Sequence, residues 1–370
     1  MKKGYADLLD DRIWTGEFFP PDGYADRFAG TLKYTPDKGV QLRYRVTGER
    51  IKQEFPLVHA VLDSGQKATL VGRFAMPAAQ LPTIDQGLMS YSGQAGFSCL
   101  LLGDFVAPEA GWRSVAFTLT LMQEFFFPEG YKGWQRYHPE PLLTLSLDGR
   151  QIEVASHATF DFAAPDLTTH FYSTNPQLIE RLRDCVGQVR QEFTKDYLML
   201  KKDFRYDVII RYDKPQGCDA AYQDIQRLAD FFAVLMYRPV YLQWIEAQSA
   251  DETYPDGRLR VYPSMLIDPR TLGLCRRETS HFHLPITAHR IDLEAVMRTW
   301  WSAADRFDVM GSSLQHETGL QNRHAIHGDL VLFASVLDGI SHADKIPGNQ
   351  KYLYPIEEHA ALIIVPAKTL

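Results

Sequence analysis

The chain has 370 residues, 45% hydrophobic, 12% aromatic and 23% charged, enough to bury a core without disulfide or metal staples. Lys and Arg number 39 against 46 Asp and Glu, and the formal net charge of −7 argues against broad, nonspecific DNA binding while leaving room for a local basic patch. No apolar run approaches the length of a spanning helix, and Met1 to Asp7 is charged with no apolar core behind it, so neither a membrane span nor a secretory leader is expected, and a cytoplasmic globular protein is.

The first 160 residues read as strands. Val40 to Val46 alternates apolar and polar positions, as a half-buried strand does. Phe97 to Phe105 and Ser114 to Leu121 are two more, the second with Val115, Phe117, Leu119 and Leu121 on one face and Thr118 and Thr120 on the other. Leu142 to Leu147 and Arg150 to Val154 flank Asp148-Gly149, the signature of a hairpin turn. Short strands with Gly and Pro punctuation predict an antiparallel β-sandwich or a barrel-like domain over residues 1–160.

The period then changes. Asn175-Pro176 has the form of an N-cap followed by Pro at the first helical position, with Leu178, Leu182, Cys185, Val186, Val189 and Phe193 at helical spacing behind it. Arg205 to Tyr212 returns to strand. Asp219 is the expected cap of a second helix with Ile225, Leu228, Phe231, Phe232 and Leu235 on its apolar face, ended by Arg238-Pro239. Val240 to Ile245 and Arg258 to Tyr262 read as strands, so residues 161–288 are expected to form a mixed α/β domain. From Asp292 the pattern is helical, with stripes at Leu293, Val296, Met297, Trp300 and Trp301 and at Leu330, Phe333, Ala334 and Leu337, which predicts a helical region over 289–370. The overall class is α+β.

Motif chemistry is sparse. Cys99, Cys185, Cys218 and Cys275 are widely spaced with no C-x-x-C pair, which predicts reduced thiols rather than a zinc site or redox dithiol. Phosphate-binding glycine loops and the Gly-x-Ser-x-Gly elbow are absent, and no cofactor is expected. On a strand, His281 and His283 would share one face, the spacing of a metal pair, but no Cys or carboxylate ligand stands at a matching position and no metal is assigned. Phe125, Phe126 and Phe127, followed by Tyr131 and Trp134, form an aromatic run that fits either a recognition loop or a buried interdomain contact. The cationic run Lys195 to Lys202 reads as a solvated face with RNA as the alternative.

The opening segment, Trp14-Thr15-Gly16-Glu17-Phe18-Phe19-Pro20, then Gly30-Thr31-Leu32 and Pro36 with Gly39, resembles the N-terminal domain of ApeA-type anti-phage proteins. The stretches Gly96 to Phe105 and Trp112 to Gln123 resemble the next strands of that domain, and Leu330 to His342 resembles the first helix of a HEPN domain. The resemblance implies abortive-infection defence, in which a HEPN domain cuts RNA with an Arg and a His separated by four to six residues. Such a His serves as general acid or base while the Arg stabilises phosphate charge.

The chain departs from that pattern. Its last Arg, Arg323, precedes the HEPN-like helix, and 28 residues follow His342. Two near matches remain as catalytic candidates: Arg323 with His327, three residues between them, and Arg276 with His281, four between them. The leading expectation is a sensor or regulatory protein without a complete nuclease, triggered by a phage-derived or host protein. The alternatives are an active, metal-independent HEPN-type ribonuclease with a noncanonical site, a truncated form of a longer ribonuclease, and an unrelated carbohydrate- or peptide-binding sandwich. RNA and a second copy of the chain stand as further expected partners, and no membrane does.

Overall fold

The computed structural model describes residues 8–320 except 22, 24–25, 50, 52, 77–82, 86–87, 108–109, 128–139, 163–171, 193–198, 251–256, 276–280, 304–313, 316–317 and 319. Among the described residues it is mostly β, with fourteen strands in one antiparallel sheet. The strands are β1 (Arg12–Phe19), β2 (Phe28–Thr35), β3 (Gly39–Thr47), β4 (Phe55–Leu62), β5 (Lys67–Phe74), β6 (Thr83–Asp85), β7 (Leu88–Phe97), β8 (Cys99–Gly103), β9 (Trp112–Leu119), β10 (Leu143–Leu147), β11 (Arg150–Phe162), β12 (Met199–Gln216), β13 (Leu242–Ser249) and β14 (Arg258–Pro263). The helices are α1 (Met122–Phe125), α2 (Pro176–Glu192), α3 (Cys218–Met236), α4 (Pro269–Cys275) and α5 (Leu293–Ser302).

The expected strand Phe97 to Phe105 is bent at Ser98, where β7 passes into β8. β7 pairs with β3 and β8 pairs with β5, so the pairings β4–β1–β2–β3–β7/β8–β5–β4 close a ring. The barrel-like expectation for the N-terminal part is met in this ring. Its interior is aromatic: Phe74 stacks on Phe28 and Phe97, at centroid separations of 5.4 and 6.5 Å, and meets Tyr44 edge-on at 5.3 Å. Alternation along each strand puts these rings inside and residues such as Arg43 and Arg45 outside.

From β8 the sheet continues outward as β14, β13, β9, β12, β11 and β10. The pairing therefore crosses the expected boundary at 160: β9, from the N-terminal half, lies between β12 and β13, and β11 spans residues 150–162. The boundary marks the start of helical periodicity, not a break in the sheet. Asp148 and Gly149 both have positive φ, 46° and 74°, as the Asp-Gly hairpin between β10 and β11 requires.

One face of this outer sheet is covered by helices. Val115, Phe117 and Leu119 of β9, with Val208 and Ile210 of β12, are buried, as are Ile225, Leu228, Phe231, Phe232 and Leu235 of α3. The expected cap at Asp219 is corrected: Gly217 is the N-cap and Asp219 sits in the first turn, where its charge faces the helix's positive end. Asn175 caps α2 as expected, its Oδ1 accepting from the Gln177 N–H at 3.1 Å, yet Leu178 and Val189 of that helix are exposed. Asp292 caps α5 through the Ala295 N–H, and Val296, Met297, Trp300 and Trp301 are buried. Trp300 lies 5.8 Å from Phe231 and donates to the Arg227 carbonyl, which docks α5 on α3. The second expected helical stripe, at Leu330 to Leu337, lies outside the described residues.

The ring core predicts a stability effect. Phe74→Ala removes the ring that joins Phe28, Tyr44 and Phe97 and should cost about 3–5 kcal/mol, measured by urea denaturation of the full chain.

Candidate functional site

The other face of the outer sheet carries charge where an ordinary sheet face carries scattered polar residues. Residues opposed in register share a face, and so do residues two apart along a strand. Thr118 of β9 opposes Trp244 of β13, Glu246 opposes Arg260 of β14, and Tyr262 opposes Leu100 of β8, which opposes Leu70 of β5. The row therefore runs without interruption from the charged face of the outer sheet to the apolar lining of the ring.

Trp244 is the centre of this face. It is 6% exposed, and two guanidiniums lie over its ring, Arg205 of β12 with Cζ at 4.2 Å from the centroid and Arg260 at 4.7 Å. A cation over an indole face is held by the ring quadrupole, more strongly when desolvated. Arg205 is neutralised by Asp207, Nε to Oδ1 at 2.7 Å, and Asp207 also accepts a hydrogen bond from the Thr118 hydroxyl. Both members of the pair are buried, so each depends on the other for compensation. His157 of β11 stands 3.9 Å from the second Asp207 oxygen.

Towards the ring, Tyr262 packs edge-on against Trp14, at 5.4 Å, and Tyr34, at 5.2 Å. Burial pushes the Tyr262 phenol above its ordinary range, while the positive charges of Arg260 and Arg12 pull it back, which places both guanidiniums within electrostatic reach of this ring. Burial also pulls the Arg260 guanidinium below its ordinary range, against the opposing pull of Tyr262 and Glu246. Arg258 lies 3.7 Å from Glu246. Among the described residues Arg260 has no ion pair, and its Nη1 and the Trp244 Nε1 are buried without a hydrogen-bond acceptor.

The aromatic run is placed elsewhere. Phe125 and Phe126 are buried on the helical face of the sheet, against Phe232 at 5.6 and 6.4 Å, and Phe126 also meets Tyr206 at 5.0 Å. These two rings are core rather than a recognition loop, because α1 turns them into the gap beside α3. Phe127 stacks on His281 at 4.1 Å. Tyr131 and Trp134 lie outside the described residues, as do Arg276, Arg323 and His327. His281 to His283 forms a 3-10 turn and not a strand, so the period-2 alignment of the two imidazoles does not arise. Among the described residues no group of three or more His, Cys, Asp or Glu side chains could hold a metal ion, and no helix is long and apolar enough to cross a membrane.

The sequence reading passed over the face that does collect charge. Its signal was present as Arg205-x-Asp207, Trp244-x-Glu246 and Arg258-x-Arg260-x-Tyr262, polar and aromatic residues two apart on strands whose intervening positions are apolar. A family model described as ApeA N-terminal domain 1 matches residues 13–300, which spans both the ring and the outer sheet. No curated protein and no solved structure matches the chain.

Two predictions follow from the buried pair and its neighbour. Asp207→Asn leaves Arg205 buried without its counter-charge and should cost about 3 kcal/mol or more; combining Arg205→Met with Asp207→Leu should cost less than Asp207→Asn alone, read from chemical denaturation. Burial pulls the His157 imidazole below its ordinary range, with Asp207 opposing and Arg205 assisting, so the fold prefers the neutral ring. Stability from this group is present above the unfolded pKa, about 6.5, and is lost as pH falls through the lowered folded value. His157→Gln should therefore flatten the fall in denaturation midpoint between about pH 7.5 and about pH 5.

Proposed function

From its place in the ApeA family of anti-phage proteins, to which the chain belongs, we propose that it acts in defence as a recognition module, sensing a phage-derived or host component through the charged face of its outer sheet. What supports the reading is the composition of that face: two arginines over one buried tryptophan, with a third arginine and two more aromatic rings at the ring mouth. Tryptophan, tyrosine and arginine are the residues that concentrate binding energy at recognition surfaces. The aromatic centre is rigid, because it is set in a sheet and not in a loop.

Recognition is an act of binding, and it asks for neither a nucleophile nor a paired acid and base. The chemistry on this face matches that demand: donors and ring surfaces, with the buried carboxylate of Asp207 already engaged by Arg205 and Thr118.

The test is a phage challenge. Cells carrying the full chain, the variant Arg258→Glu, or no insert are infected with a panel of phages at matched protein levels. Arg258 is exposed and its replacement reverses charge on the face while sparing the core. The full chain should reduce plating of at least one phage, and Arg258→Glu should weaken that protection with the protein still soluble. No reduction for any phage, or full protection by the variant, would overturn the reading.

A further inference from the structure

The charges on the outer sheet do not balance locally. Arg205 is paired with Asp207 at 2.7 Å, Arg211 with Glu153, Arg12 with Asp10 at 3.8 Å, and Arg258 with Glu246 at 3.7 Å. Arg260 is left over. Glu246 opposes it in register and pulls on it electrostatically, yet that carboxylate lies within ion-pair distance of Arg258 and not of Arg260. Arg260 is half-buried, and its buried Nη1 makes no hydrogen bond, a standing cost to the fold. Beside it, the indole N–H of Trp244 is likewise buried with no acceptor among the described residues.

We propose that this position is a binding site for a phosphate-bearing ligand, whose oxyanion takes the hydrogen bonds that Arg260 and Trp244 leave unmade. The guanidinium is a planar fork of donors that matches phosphate oxygens two at a time. The indole N–H adds a neutral donor, and Arg205, held in place by Asp207, stacks on the same indole. Trp14, half-buried at the ring mouth against Tyr262, supplies a ring surface next to the site that a planar group carried by the phosphate can use. The site deepens the recognition role proposed above and rests on it for its biological meaning, though its chemistry stands on the side chains alone.

The arrangement has a signature that a merely structural role would not share. A half-buried guanidinium with an unmade hydrogen bond, kept for a ligand, weakens the empty protein, so removing it should leave the fold as stable or more so. The test uses the full chain and the variant Arg260→Met, with inorganic phosphate and a 5′-mononucleotide as separate probes against a chloride control at equal ionic strength. Binding is read by titration calorimetry and by the shift in melting temperature.

The expected result has three parts. The melting temperature of the native chain rises with one or both probes. Arg260→Met melts at the same or a higher temperature without ligand. Its affinity for the probe falls about tenfold or more, the usual loss for a charge-assisted hydrogen bond. A mononucleotide that binds more tightly than inorganic phosphate assigns the ligand to a phosphate carried on a ring system, and equal binding assigns it to the phosphate alone. The proposal is overturned if neither probe binds, if Arg260→Met binds equally well, or if Arg260→Met melts well below the native chain. Failure here with protection still lost in Arg258→Glu would leave the recognition role standing with a different ligand.

Discussion

The bend at Ser98 is the constraint on which the rest of the structure depends. At this residue β7 passes into β8, which closes the ring on β5 and starts the outer sheet by pairing with β14. The Ser98 N–H and hydroxyl both donate to the Val71 carbonyl, at 2.9 and 2.8 Å, holding the corner to β5. On the other side, Ser264 donates to the Phe97 carbonyl at 2.6 Å and accepts from the Val40 N–H at 2.8 Å, which joins the end of β14 to the start of β3. The approach is close enough to exclude a side chain at position 39. A Cβ on Gly39 would lie 2.3 Å from the Ser264 hydroxyl, and its φ of +68° is one that glycine adopts without strain. The bend also reverses the side-chain alternation: Phe97 packs inside the ring on Phe74, and Leu100, not Cys99, carries the same face onward.

Two faces with different physics follow from this geometry. The face under α3 is apolar and is sealed by Phe231, Phe232, Trp300 and Trp301 together with Phe125 and Phe126. The opposite face inherits the ring interior at one end and is charged at the other. Buried ion pairs such as Arg205 with Asp207 give little net stability, because desolvation offsets most of the attraction. Their presence on the face opposite α3 fits a surface whose composition is set by what it binds.

Much of the fold was legible because local periodicity and tertiary role agree. The alternation of Val40 to Val46, the Asp148-Gly149 turn, the apolar face of α3 and the Asn175 and Asp292 caps all express one local rule each, and the structure keeps them. The interleaving of β9 between β12 and β13 was not legible, since strand order is decided by pairings between segments far apart in the chain. The aromatic run stayed open between a recognition loop and a buried contact for a related reason: only the position of α3 shows that Phe125 and Phe126 are core. The charged face escaped notice because its members sit on four strands. Arg205, Trp244 and Arg260 become a stack only when β12, β9, β13 and β14 are brought into one sheet.

β8, shared by the ring and the outer sheet, makes them one unit with one continuous face. Native-state hydrogen exchange across a urea series tests this most directly, comparing the slowest amides of β2 in the ring with those of β9 and β13 in the outer sheet. The account predicts that all of them exchange through a single opening, with a common free energy and a common urea dependence. Protected ring amides beside outer-sheet amides that exchange through a separate, smaller opening would contradict it.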